Sequence, residues 1–348
     1  MAKIVYLEAR GNGSFRSKLR SDTLWGMLCW TLRKLEGDNF DFATFFESYT
    51  SDTVAGNFYL SSAYPWVETA DGKRTHFLPN PLDQPPLKDE PSTGSPRAIK
   101  AAFRRRKQTD KRKKGFLSWE QFDYSYGSGN EPALAAWQEG VALRTQAVTH
   151  NQIDRRRLGT FTENDNGQLF HMNENYYDFG GVAAVKKHGL YFLLSGDTPR
   201  AEAALRLLDT TGFGGDSSIG KGSFQVDIHP DAHQLEGQFS LPKLTDNEAN
   251  ARLNLALYCP KNAVELQDFD GQTDPRFWQY KLETRQGRNV QSSSVLQDEK
   301  LLFSEGSIFP KVNSNHHPGT NWLAGKHSRL GHDIYRYGHA FLLNIKLS

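Results

Sequence analysis

The sequence predicts an α+β fold: two mixed units, residues 1–233 and 234–348, with a large basic insertion at about 68–134 of the first. Three observations carry that expectation. Segments whose apolar residues alternate, as strands require, exchange with segments whose apolar residues recur at helical spacing. Two such helices fall in the first unit, each flanked by strand-like stretches. Residues 97 to 114 hold ten Lys or Arg against Asp110 alone, so +9 is concentrated there in a chain of net charge +2, leaving −7 for the remainder. Like charges that dense repel one another and resist a core, which marks either an excursion reaching for a polyanion or a merely solvated loop.

Lys3 to Glu8 alternates as a strand, and Arg10-Gly11-Asn12-Gly13-Ser14 is turn chemistry. Ser21 then offers an N-cap, with Asp22 favourable in the first turn. Leu24, Met27, Leu28, Leu32 and Leu35 form a helical stripe that Gly37 ends. The aromatic stretch Asn57 to Val67 reads as a strand. Six prolines between 79 and 96 lead into the basic run and favour an extended, projecting path. Phe116, Trp119, Phe122, Tyr124 and Tyr126 follow, suited to stacking bases along a phosphate track or to anchoring the insertion on its own domain. Regular structure resumes near Trp137, and Gly189 to Ser195 is a buried strand. Asp197 or Thr198 caps a helix with Pro199 in its first turn and Ala201, Ala204, Leu205 and Leu208 on one face, stopping at Gly212. Ser223 to Ile228 alternates again. Strand, helix, two strands around an insertion, helix and strand is the order of a ferredoxin-like domain. In the second unit Leu253, Leu255 and Leu257 share a face, Lys281 to Val290 resembles a hairpin turning near Gly287, and Ala340 to Leu347 alternates. These fit a second, degenerate ferredoxin-like domain.

The chemistry concentrates between the second helix and the strand after it. Gly212-Phe213-Gly214-Gly215-Asp216-Ser217-Ser218-Ile219-Gly220-Lys221-Gly222 packs five glycines into eleven residues. Glycine admits positive φ and close approach of another molecule to the backbone, and successive N–H groups in such turns converge on an anion. Lys221 adds a mobile positive charge. Asp216, Ser217 and Ser218 offer hydrogen bonds to a base edge or a 2′-OH. Gly215 to Lys221 also matches the start of the ATP-cradling G-x-x-x-x-G-K-[ST] pattern, but Gly222 stands where the Ser or Thr belongs, and the loop follows a helix and precedes a strand, the reverse of that motif's context.

Other classes are disfavoured. No run approaches eighteen uncharged apolar residues, and the first eight residues lack a signal-peptide pattern, so a cytoplasmic protein without membrane contact is expected. Cys29 and Cys259, far apart and in apolar patterns, support neither a disulfide framework nor a thiolate zinc site. His229 and His233 are separated by Pro230, and His316-His317 and His332 lack partners at metal-ligand spacing, so neither metal nor cofactor is expected.

Several stretches together resemble a family. Ser21-Asp22-Thr23-Leu24, His150-Asn151-Gln152-Ile153-Asp154-Arg155 with Leu169-Phe170, the glycine loop through Phe224, Leu302 to Phe309, and Tyr335 to Phe341 occur in the order of the RAMP superfamily of CRISPR proteins. Within it the chain resembles the subunit of type III-A (Csm) interference complexes that grips the 5′ end of the CRISPR RNA. The match spans nearly the whole chain apart from the insertion, whose basic run has no counterpart, and Arg20 stands where this family often has histidine. The resemblance implies paired ferredoxin-like, RRM-related domains. It implies a subunit that is not itself a nuclease, docked on a large polymerase-like signature subunit and on a backbone RAMP subunit. A thumb at or near 68–134 would bend the RNA, and target RNA would be met only indirectly.

The expected RNA contacts are therefore Arg10, Gly11, Ser14, Ser21 and Asp22; Arg104, Arg105 and Arg106; His150, Asn151, Ile153 and Arg155; the loop residues Gly212, Phe213, Gly214, Gly215, Asp216, Ser217, Ser218, Gly220, Lys221 and Gly222; and Tyr337, Gly338 and His339. The rival from the same superfamily is a metal-independent endonuclease that trims precursor RNA by 2′-OH attack, with His150, beside Asn151 and Arg155, or His171 as general base. A stand-alone RNA-binding regulator fits the charges but not the ordered motifs.

Overall fold

The computed structural model describes residues 2–11, 13–49, 57–82, 115–128, 141–151, 153–154, 156, 159–160, 162–163, 166–167, 169–180, 182, 184–238, 240–267, 269, 275–287, 297–311, 317–327 and 332–347. Arg104, Arg105, Arg106 and Arg155 lie outside them, with the whole 97–114 run.

The first strand, β1 (Lys3–Ala9), is the axis of the molecule. Helix α1 (Ser21–Glu36) follows, closed by Gly37 at φ 60, and the short α2 (Phe42–Glu47) packs beside it, capped by Asp41, whose carboxylate accepts from the Ala43 amide. The expected strand from Asn57 to Val67 is two strands, β2 (Phe58–Leu60) and β3 (Tyr64–Thr69). Its break lets the Ser62 and Ala63 amides turn outward to Leu255 and Leu19 carbonyls. Strand β4 (Arg74–Pro79), β5 (Phe116–Ser118) and the one-turn α3 (Trp119–Phe122) come next. A long hairpin, β6 (Ala142–Asn151) and β7 (Leu169–Asp178), precedes β8 (Val185–Gly196), α4 (Thr198–Thr211) and β9 (Phe224–His229). Pro199 opens α4, and Gly212, at φ 83, ends it.

Apart from the β6–β7 ribbon, these strands form one antiparallel sheet in the order β9-β1-β8-β3-β4-β5, with β2 pairing β8 ahead of β3. Period-two alternation decides which face each residue serves. Val5, Leu7, Phe192 and Leu194 point to the side covered by α1 and α4, where Leu24, Leu28, Leu32, Ala204 and Leu205 complete a core. Ile4, Tyr6, Tyr191 and Leu193 point to the other side and pack on Leu253, Leu255, Leu343 and Ile345 of the second unit. With both faces covered, β1 and β8 read as near-continuous apolar runs.

Part of the stretch expected as an insertion belongs to the sheet, while residues 83–114 and 129–134 lie outside the described residues. Residues 64–79 form a β3–β4 hairpin inside the sheet, with Trp66 opposite His76, and β5 extends it. Trp119, Phe122 and Tyr126 are buried against Leu253 and Phe341, so these aromatics anchor the segment; Tyr124 is half exposed. Exposure belongs instead to the β6–β7 hairpin, whose β6 strand faces mostly solvent.

In the second unit β10 (Ala251–Asn254) lies between β13 (Ile308–Pro310) and β16 (Leu342–Ile345), while β11 (Leu282–Arg285) pairs with β12 (Lys300–Phe303) and β14 (Trp322–His327) with β15 (His332–Arg336). The hairpin expected within Lys281–Val290 is thus corrected: the partner of β11 comes after position 297. Residues 251–259 are all buried, not one-faced. Among the described residues the unit has no helix longer than Ala263–Gln267.

Candidate nucleic-acid interface

Three chain segments converge at the end of α4. The loop 212–222 is pinned at its neck: the Phe213 amide donates to the Gly222 carbonyl at 2.9 Å, and the Phe213 ring is fully buried in the helical core. A Cβ on Gly222, whose φ is +63, would sit 1.9 Å from the Phe213 carbonyl oxygen, so only glycine closes the neck. Beyond it Asp216 adopts the left-handed conformation that Asp tolerates better than most residues (φ 62), and Ser217–Ile219 make one tight turn. The Ile219 and Gly220 amides close this turn, leaving those of Ser217 and Ser218 outside its own hydrogen bonds.

The second segment is the connection from β1 to α1. The Gly222 amide donates to the Ser14 carbonyl at 2.9 Å, the Gly215 amide to Ser17 Oγ at 3.2 Å, and the Arg10 amide to the Ser223 carbonyl at 3.0 Å. The third is β7: Phe15 and Asn175 exchange backbone hydrogen bonds, and Asn175 Nδ2 donates to the Arg16 carbonyl at 2.7 Å. Charges follow the same stitching. Lys221 Nζ donates to Ser14 Oγ (2.9 Å) and Glu174 Oε2 (2.7 Å), Arg16 Nη1 to Asp216 Oδ2 (2.5 Å), and Arg10 holds both the carboxylate and the carbonyl of Asp209 in the last turn of α4. The mobile cation expected at Lys221 is instead held in place.

Arg10, Gly11, Ser14 and the loop residues are therefore gathered at one place. His150 is on the same hairpin as Glu174 but four residues farther out, roughly 14 Å at about 3.4 Å per residue, with Asn151 and Ile153 beyond it. His150 stacks on Phe170 with centroids 5.5 Å apart, and Ile153 is 67% exposed. His171, one residue on from Phe170, projects to the opposite face of the ribbon and meets Thr149 Oγ1 at 3.1 Å.

Six of the expected contacts are enclosed by the protein itself. Phe213 is one. Ser21 Oγ accepts from the Leu257 amide at 2.9 Å, and Tyr337, fully buried beside Trp25, is reached by the Leu60 amide at its hydroxyl. His339 is 3% exposed, and burial pushes its pKa down to about 4. Gly338 packs its backbone against Cys259 and Thr320. Asp22, also buried, accepts from Arg285 (3.0 Å) and from Arg336. Burial alone would raise its pKa, but Arg336, Arg285 and Arg20 more than offset that and hold it below the usual carboxylate range. Next to it Arg20 pairs with Glu305 and Glu283, and Ser62 Oγ donates to Glu305 at 2.5 Å. Sequence reasoning missed this six-charge junction between the two units, and missed Arg16, Ser17, Glu174 and Asn175 at the loop. Arg20 stood out in sequence only as a departure from a family habit.

No family model matches the chain. In sequence it is 24% identical over 239 residues to the CRISPR system Cms protein Csm4 of Thermococcus onnurineus (strain NA1), a match taking in 66% of this chain and 69% of the relative. In structure it superimposes on a chain of a Csm1–Csm4 cassette in complex with cA4, with TM-score 0.54 and 19% identity over 100% of this chain and 98% of that one. It also superimposes on a chain of the Csm3–Csm4 subcomplex of a type III-A CRISPR-Cas interference complex, with TM-score 0.54 and 17% identity over 99% of both. Csm4 is the component common to both assemblies and to the sequence relative. The chain has the Csm4 fold. The resemblance to the type III-A RAMP subunit drawn from ordered motifs is borne out.

Proposed function

We propose that this chain is the subunit of a type III-A effector complex that binds the 5′ tag of the CRISPR RNA and bridges the large signature subunit to the backbone subunits, without itself breaking a bond. The observation that carries the reading is the convergence at the glycine loop: backbone amides, hydroxyls of Ser14, Ser17, Ser217 and Ser218, and the cations Arg10, Arg16 and Lys221 share one rigid frame. Such a frame suits sugar and phosphate better than a flat hydrophobic ligand. The strand order β9-β1-β8-β3, with α1 and α4 on one face, supports a ferredoxin-like first domain. We place the RNA-bending thumb on the solvent-facing β6–β7 hairpin rather than on 68–134, because its strands stand clear of the sheet and carry Ile153, Leu169 and Phe170 exposed toward its tip. The partners follow from the Csm1 and Csm3 chains found with Csm4 in the solved assemblies.

The endonuclease reading needs an acid and a base on one phosphate. His150 and His171 face opposite sides of the ribbon, which favours binding over cleavage. The test is recovery of the protein from its native cells. Short RNAs sharing one constant 5′ sequence, together with a large partner, are expected. Heterogeneous RNA would favour a regulator, and metal-free cleavage of repeat RNA abolished by His150→Ala would favour the nuclease.

A further inference from the structure

The cations around the glycine loop already have anionic partners. Lys221 Nζ lies 2.7 Å from Glu174 Oε2 and Arg16 Nη1 lies 2.5 Å from Asp216 Oδ2. The first pair is the more enclosed, its side chains 20% and 19% exposed against 39% and 32%. A phosphate arriving at Lys221 meets an ammonium already held by a carboxylate. Either the carboxylate moves away or two anions sit side by side, which is unfavourable at this partial burial. Asp216 stands in the same relation to Arg16.

We propose that Glu174 and Asp216 are internal stand-ins for RNA phosphates: they hold Lys221 and Arg16 in the positions that grip RNA, and RNA must displace them to bind. The inference rests on reading the loop as the RNA site. Phosphates attract cations whatever the sequence, so an unguarded loop would collect bulk cellular RNA. Exchange with a resident carboxylate weakens every RNA by the same factor. Weak, sequence-independent binding then falls away, while an RNA that also makes base and sugar contacts stays bound. Glu174 comes from β7, so the same pair ties the hairpin to the loop.

The experiment measures binding of the full chain to two labelled RNAs of equal length, one carrying the tag of the organism's own CRISPR repeat and one shuffled. Glu174→Gln keeps the side chain's shape but removes its charge, and is expected to tighten both RNAs by a like factor, roughly fivefold for loss of one partly exposed ion pair. Adding Lys221→Gln to that variant should abolish the gain. Asp216→Asn, which also tolerates the left-handed conformation, repeats the reading through Arg16 should the first variant fail to fold. Unchanged or weaker binding in the folded variants overturns the inference, as does a gain that survives removal of Lys221, since net charge alone would then explain it. Wild type that fails to prefer the tagged RNA overturns the RNA-site reading itself, and the inference with it.

Discussion

Asp22 shows how one side chain can be diverted from the role its position suggests. In sequence it reads as a favourable acid in the first turn of α1; in the structure it is buried and receives two guanidiniums from the second unit. Removing its charge leaves Arg285 and Arg336 uncompensated, so Asp22→Asn should cost about 3 kcal/mol, read as a lower urea midpoint. A loss within error would mean that the arginines find water instead. His76 and His339 make a second residue-scale prediction. Burial first, and then Arg74, hold the His76 pKa at about 3, and burial holds that of His339 at about 4, against about 6.5 when unfolded. Both must be neutral in the folded chain, while the unfolded chain takes up protons below pH 6.5. Stability is therefore fully present above that pH and falls as the pH drops toward 4, each histidine removing about 1.4 kcal/mol per pH unit. Asp22 and Glu305, whose pKa values are lowered, add to the loss at still lower pH. A urea midpoint unchanged between pH 7.5 and 5 would contradict this assignment.

At the scale of elements, glycines in one loop should not be equivalent. Gly220 has φ +86 but open space where a Cβ would go, whereas Gly222 combines φ +63 with a carbonyl 1.9 Å away. Gly220→Ala should cost about 1 kcal/mol and leave the neck of the loop closed. Gly222→Ala should cost several-fold more and loosen the loop, detectable as faster amide exchange over 212–222. Equal effects would argue against the pinned neck. This loop and the two long helices of the first unit were legible in sequence because each carries local punctuation: a stripe at helical spacing ended by Gly37, and another opened by Pro199 and ended by Gly212. The β6–β7 hairpin was not, since a ribbon exposed on much of its surface has no apolar alternation to read. Nor was the packing of the aromatics beyond the basic run: Trp119 and Phe122 follow it in sequence, and only the sheet built from distant strands shows that they are core.

Across the whole molecule, the units expected at 1–233 and 234–348 share a buried core. Tyr6, Trp66, Tyr191 and Leu193 of the first unit share one core with Leu253, Phe341 and Leu343 of the second, and the Arg20–Asp22 junction links them again. A protein cut after position 233 is expected to expose that sheet face and bind an apolar dye, while the full chain unfolds in one transition. Two separated transitions would restore independent domains. Long-range pairings of this kind, such as Lys221 with Glu174 across 47 positions, leave no local mark, which is why the loop's glycines were found in sequence but its counter-ions were not.

The central claim is that the loop after α4 holds the leading end of the guide RNA. Ultraviolet crosslinking of the native complex, followed by mass spectrometry of RNA-bearing peptides, tests it most directly. The account predicts tag nucleotides attached to peptides containing Ser14–Arg16 and Gly212–Gly222. Tag nucleotides crosslinked only to other subunits, with both peptides recovered free of RNA, would contradict it.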